Sequence, residues 1–251
     1  MKSVRAALVL VAVVALAGCS SPDEKAHEFG VWASTLEYVT SIDAQPTSGS
    51  DGLSAHLVID GAIGADDLAS LAETLGERAE SQGIEAAEIN LIVGNAWGFS
   101  VDGDGVNVAT VNQLRDAPLL VGATVGYQPL DASPDFVAGL HGTVGSQAGL
   151  RDAPAAVIAA YTGAGGDLDG LPVSVSTADG NFGVTGIGDK QPDSAIALWQ
   201  AISGRVLPLS VQATLSDAGE QLEITVGSAE EKATAEGIGA QYPDVALTVA
   251  Q

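Results

Sequence analysis

The chain has 251 residues, with 32 acidic against 9 basic side chains and a formal net charge of −23. A surface of that sign repels nucleic-acid phosphates and anionic lipid headgroups, so neither is expected as a partner. Apolar residues make up 46% of the sequence, enough for a packed core and too many for a disordered chain.

Reading from the start, Lys2 and Arg5 precede an apolar run from Ala6 to Leu16, which leads into Gly18 and Cys19. Basic, apolar and small-residue segments in that order form an export signal. The run is shorter than the roughly 20 residues a helix needs to span a bilayer. Ala15-Leu16-Ala17 also offers a cut site for ordinary secretion. Leu16-Ala17-Gly18-Cys19 resembles the lipobox of bacterial lipoproteins. The resemblance implies cleavage before Cys19, a diacylglyceryl group on its thiol, and a place on the extracytoplasmic face of the cell membrane. Residues 1–18 are then a signal peptide, and the polar, turn-forming residues 19–25 a lipidated tether. Without Lys2 and Arg5 the chain keeps 7 basic residues against 32 acidic ones, a net charge of −25. Cys19 is the only cysteine, so no disulfide is available and packing must supply the stability.

Leu53 to Ile59 reads as a strand, rich in aliphatic residues. The next segment repeats Leu68, Leu71, Ala72, Leu75 and Ala79 along one helical face, with Asp66 as its expected N-cap and Gly83 as its stop. Ile89 to Val93 and Trp97 to Val101 form a hairpin across Gly94-Asn95-Ala96. A helix near Val108 to Ala117 and a strand from Leu119 to Tyr127 follow. The pattern then recurs: strand Phe136 to His141, helix Asp152 to Tyr161, strands Val173 to Ser176 and Phe182 to Thr185 around the turn signal Asp179-Gly180. Asp193 is the expected cap of a helix carrying Ile196, Trp199 and Ile202, closed by Gly204, with a strand over Val206 to Leu215. Strand Leu222 to Val226, a helix from Ala229 and strand Val245 to Val249 complete the chain. Ser228 and Glu231 have the spacing of a capping box.

Trp97-Gly98-Phe99 and Phe182-Gly183-Val184 lie 85 residues apart, each shortly before a helix, which points to duplication. Two modules are read on that basis, residues 26–130 and residues 131–251, the second carrying a C-terminal βαβ half unit. The order βαββαβ is similar to the ferredoxin-like fold. The expected class is therefore α+β: tandem ferredoxin-like modules, antiparallel sheets with helices packed on one face. The other face is expected to need a partner, since exposed apolar surface costs roughly 25 cal/mol per Å². The helix-strand-strand series also looks like the small BON modules of bacterial envelope proteins, a likeness at fold level that carries no function.

No serine lies in Gly-x-Ser-x-Gly, and the one thiol belongs to the anchor, so no catalytic set is read. His27, His56 and His141 are far apart in sequence, without neighbours at metal-ligand spacing. The stretch Gly163 to Gly170 breaks the Gly-x-Gly-x-x-Gly pattern at Leu168 and lacks a Walker lysine, so it reads as a connection and no cofactor is expected. Two loops pair carboxylates, Asp102 with Asp104 and Asp167 with Asp169, and these four are the candidate metal ligands because calcium takes oxygen donors in flexible loops. Ordinary turn chemistry explains the same residues. The aromatics Trp97, Phe99, Phe182 and Trp199 read as core, with Trp97 at a hairpin edge where its ring has room to stay exposed. The expected function is a noncatalytic binding or scaffolding protein of the cell envelope with a protein partner. The alternative is a small-molecule or cation-binding lipoprotein serving a transporter. An enzyme ranks behind both.

Overall fold

The structure, a computed structural model, describes residues 21–47, 52–84, 87–129 and 138–251. A helix followed by two strands recurs along it. The first unit is α1 (Pro22–Ala33), β1 (Val39–Pro46) and β2 (Leu53–Ile59), and the second α2 (Ala65–Ser81), β3 (Ala87–Val93) and β4 (Trp97–Ser100). The third is α3 (Val106–Arg115), β5 (Leu120–Val125) and β6 (Leu140–Val144). A 3-10 turn at Gln147–Arg151 leads into α4 (Ala153–Gly163), β7 (Pro172–Thr177) and β8 (Phe182–Ile187). The fifth unit is α5 (Asp193–Ser203), β9 (Ser210–Ser216) and β10 (Gly219–Thr225), followed by α6 (Ala229–Gly239) and β11 (Val245–Ala250).

All eleven described strands join one sheet, and their order across it is their order in the chain. Pairing alternates. The two strands of each unit are antiparallel, and the last strand of one unit runs parallel to the first of the next. This corrects the expected tandem ferredoxin-like modules with antiparallel sheets. A ferredoxin-like unit interleaves its strands, whereas here every strand pairs with its sequence neighbours. A hairpin places the next strand alongside and reversed, and a helix carries the chain back so that the following strand is parallel. Strand direction reverses at each hairpin while the helices stay on one face. Successive crossovers therefore alternate in hand, so every second one has the disfavoured left hand. The offset of 85 residues spans two units, because strands β2, β4, β6, β8 and β10 begin at Leu53, Trp97, Leu140, Phe182 and Gly219.

Local sequence explains most elements. Gly94 and Asn95 both have positive φ, 58° and 65°, as a tight hairpin turn between twisted strands requires. On α2 the stripe Leu68, Leu71, Ala72, Leu75 and Ala79 is buried as expected, but Gly64 holds the N-cap and Asp66 lies in the first turn, where its charge suits the helix dipole. Asp193 likewise starts α5 without capping it; Glu220 of β10 accepts the Ala195 N–H instead, at 2.7 Å. The capping box is present in a shifted form: the Glu231 N–H donates to Ser228 Oγ, and Glu231 Oε2 accepts from the N–H of Gly227, one residue before the N-cap. Part of the segment expected as a tether is helical. Ser21 accepts the Glu24 N–H, Pro22 takes the first helical position, and α1 begins there.

The sheet's helix-bearing side holds the core. Leu57, Leu91, Phe99, Val125, Leu140, Val175, Val184, Val211 and Leu222 are all buried on it. Each such side chain contributes roughly 1.5–3 kcal/mol by leaving water. No helix among the described residues is long and apolar enough to cross a membrane.

Candidate functional site: the open face of the sheet

Among the described residues no helix lies on the second face, and that face is mostly polar. This answers the expectation that it would be apolar and need covering. Alternation along the strands sends most aliphatic residues to the helices and Ser, Thr, Gln and His to the other side, where Val58, Ile92 and Ile187 are aliphatic exceptions. Register lines them up. Thr124, His141, Ser174, Thr185, Thr214 and Gln221 stand side by side on strands β5 to β10. At about 4.8 Å per strand this row is roughly 24 Å long. A second row runs through Thr143, Ser176, Gly183, Gln212, Glu223 and Thr248. His141 Nδ1 lies within hydrogen-bond distance of Ser174 Oγ, and burial pushes its imidazole below the usual range, so the row is uncharged at neutral pH as far as Gln221.

At the β1 side of this face the chain folds over itself. Asn90, 2% exposed, accepts on Oδ1 from the Ser100 hydroxyl at 2.7 Å and from the Gln128 N–H at 3.2 Å. Asn107 Nδ2 donates to the Ser100 carbonyl at 3.0 Å. These bonds hold Tyr127 against the sheet over Gly98, where a Cβ would lie 3.1 Å from the ring. His56 meets the Tyr127 ring edge-on at 6.1 Å. Burial lowers the affinity of His56 for a proton, against the pull of Asp43 and Glu88, and its Nδ1 is buried without a hydrogen-bond partner. His56 and His141 share the open face but stand on β2 and β6, roughly 19 Å apart at the usual strand spacing.

The four candidate metal ligands lie on the helix side. Asp102 Oδ2 accepts the Asn107 N–H at 2.9 Å and Asp104 Oδ1 the Val106 N–H at 3.4 Å, so both serve the N-terminus of α3. Asp66 and Glu73 of α2 line the same depression. Burial, together with the adjacent Asp104, raises the Asp102 carboxyl above its usual range, although the Asn107 N–H opposes this. Asp167 Oδ1 accepts the Asp169 N–H at 3.0 Å in a local turn. Asp102, Asp104 and Asp167 all act on the Tyr161 hydroxyl, whose pKa burial first and these charges next push up. Among the described residues no three carboxylate, imidazole or thiol groups gather where one ion could bridge them.

Trp97, read as core though at a hairpin edge with room for its ring to stay exposed, packs partly buried against the core, because it stands opposite Val93 on the helix side. Trp199, expected in the core, is only half-buried. It stacks on Phe182 at 6.2 Å and 15° and lines a cleft of about 270 Å³ between the 3-10 turn and α5. Its place on one stripe with Ile196 and Ile202 gave no signal of this. Cys19, the lipidation candidate, lies outside the described residues. No protein-family model matches the chain, and no curated protein is significantly similar to it.

Proposed function

We propose that the chain is a noncatalytic binding protein of the cell envelope, anchored by a lipid on Cys19, that meets its partner through the open face of the sheet. The first polar row carries this reading: about 24 Å of uncharged hydroxyl, imidazole and amide groups on a rigid sheet suit an extended polar partner. With Cys19 as first mature residue, only Ser20 and Ser21 separate the lipid from α1. That length of chain reaches at most about 10 Å, so the sheet stays close to the membrane and its partner is within the envelope. The test compares full-length protein with the double variant Thr185→Arg/Thr214→Arg by crosslinking in intact cells. One crosslinked species, present with the native protein and lost with a folded double variant, is the expected result. An unchanged crosslinking pattern removes the open face from the reading. Cys19→Ala is expected to release the protein from the membrane fraction; retention there removes the anchor. A second reading, a small-molecule binder serving a transporter, is favoured by the cleft beside Trp199.

A further inference from the structure

Helices α3 and α4 pack together, as do α5 and α6, but the layer opens between the 3-10 turn and α5. Leu150, Val184 and Ile196 form an apolar floor to the cleft there, and Trp199 forms a wall. Phe182 backs the indole, so the ring keeps one orientation. Gln147, Gln200 and Ser203 bring amides and a hydroxyl to the rim, beside Arg151.

Of the seven basic residues among the described ones, four have a partner for the charged group. Lys25 donates to the Gly83 carbonyl, Arg78 lies over the Trp32 ring, Arg115 donates to the Gly61 and Ile63 carbonyls, and Lys232 pairs with Glu236. Arg151, Lys190 and Arg205 are exposed and have no carboxylate or carbonyl partner for their side chains among the described residues, and of these three Arg151 alone lines this cleft. A cation left free at the mouth of a cleft, on a protein of net charge −23, marks the place where an anion can approach.

We propose that this cleft binds a single sugar ring bearing a carboxylate. The C–H face of a pyranose suits the fixed indole and the aliphatic floor. Its hydroxyls match the two amides and Ser203, which both donate and accept. The carboxylate matches the guanidinium, whose planar fork binds it through two hydrogen bonds. About 270 Å³ is below the size of pockets that hold drug-sized ligands, so one ring is the fit. This ligand deepens the small-molecule reading and is independent of the open face, which lies on the other side of the sheet.

The full chain in detergent would be titrated with glucuronate, glucose and benzoate, following melting temperature and calorimetric affinity. Glucuronate is expected to raise the melting temperature and to bind about tenfold more tightly than glucose, the step that one charged hydrogen-bonded pair supplies. Arg151→Gln should remove that preference without weakening glucose. Gln200→Ala, at an exposed position, should weaken both sugars while the protein melts as before. Equal affinity for glucose and glucuronate, unchanged glucuronate binding by Arg151→Gln, or benzoate binding as tightly as glucuronate would each overturn the proposal. Absence of glucuronate binding would overturn it as well, while leaving the crosslinking test of the open face untouched.

Discussion

Asp102 separates two roles that a carboxylate in a loop can play, helix cap and metal ligand. Its Oδ2 accepts the Asn107 N–H at 2.9 Å, satisfying one of the free donors at the start of α3. Asp102→Ala removes that acceptor and is expected to cost about 1 kcal/mol, the usual value of a lost cap. Across a chain of this length that corresponds to a melting temperature lower by about 2–4 °C. Asp102→Asn keeps an acceptor oxygen and discards the charge. The folded carboxyl holds its proton more tightly than in the unfolded chain, because burial and Asp104 raise its pKa. Between the unfolded value and that raised value the folded state carries more protons, so native stability falls as pH rises through this window. Asp102→Asn lacks that loss. It should match the native protein at acid pH and equal or exceed it at neutral pH, when both are followed by urea unfolding from pH 3.5 to 7.5. Calcium should shift neither curve. Asp102→Asn as damaging as Asp102→Ala at neutral pH, or a difference from the native protein that does not change with pH, would refute the cap role and the raised pKa. Calcium-dependent stabilisation of the native protein alone would make Asp102 a ligand.

Gly98→Val would drive a branched side chain into Tyr127 and Thr124, each about 3.1 Å from the position of a Cβ. Overpacking of this kind should destabilise by roughly 1–3 kcal/mol in thermal melts, and Tyr127→Ala in the same chain should recover part of it. His56 and His141 both have folded pKa values lowered by burial, so the unfolded chain binds more protons below the ordinary imidazole range. Stability from these residues is complete above about pH 6.5 and is lost as pH falls through their folded values. His141→Gln should make stability less dependent on pH between about 7 and 5; an unchanged slope would place the effect elsewhere.

What the sequence reveals about this fold is local. The α2 stripe, the Ser228–Glu231 box and the hairpin around Asp179-Gly180 depend on residues a few positions apart, and each is present. The order of strands is not local. The same helix and strand sequence serves an interleaved ferredoxin-like unit and a consecutive sheet, and only pairing between distant residues tells them apart. β1 was missed because Val39–Pro46 is an edge strand, with Ser41, Asp43 and Gln45 exposed and a proline at its end. α1 was missed because Ser21-Pro22-Asp23-Glu24 suits a turn as well as a capped first helical turn. At the candidate sites, the Ser and Thr residues of the rows read simply as strand formers. Their common face follows from register, and the exposure of Trp199 follows from the gap beside α5.

Among the described residues each strand pairs only with its predecessor and successor, and no closing contact joins the ends of the sheet. Stability in such an array is a sum over neighbours. The outer strands, each with a single partner, are then the ones expected to open most readily. The same arrangement gives evolution a simple length control. A whole helix–hairpin unit can be added or deleted while every remaining strand keeps a partner, and each addition lengthens the polar rows by two strands.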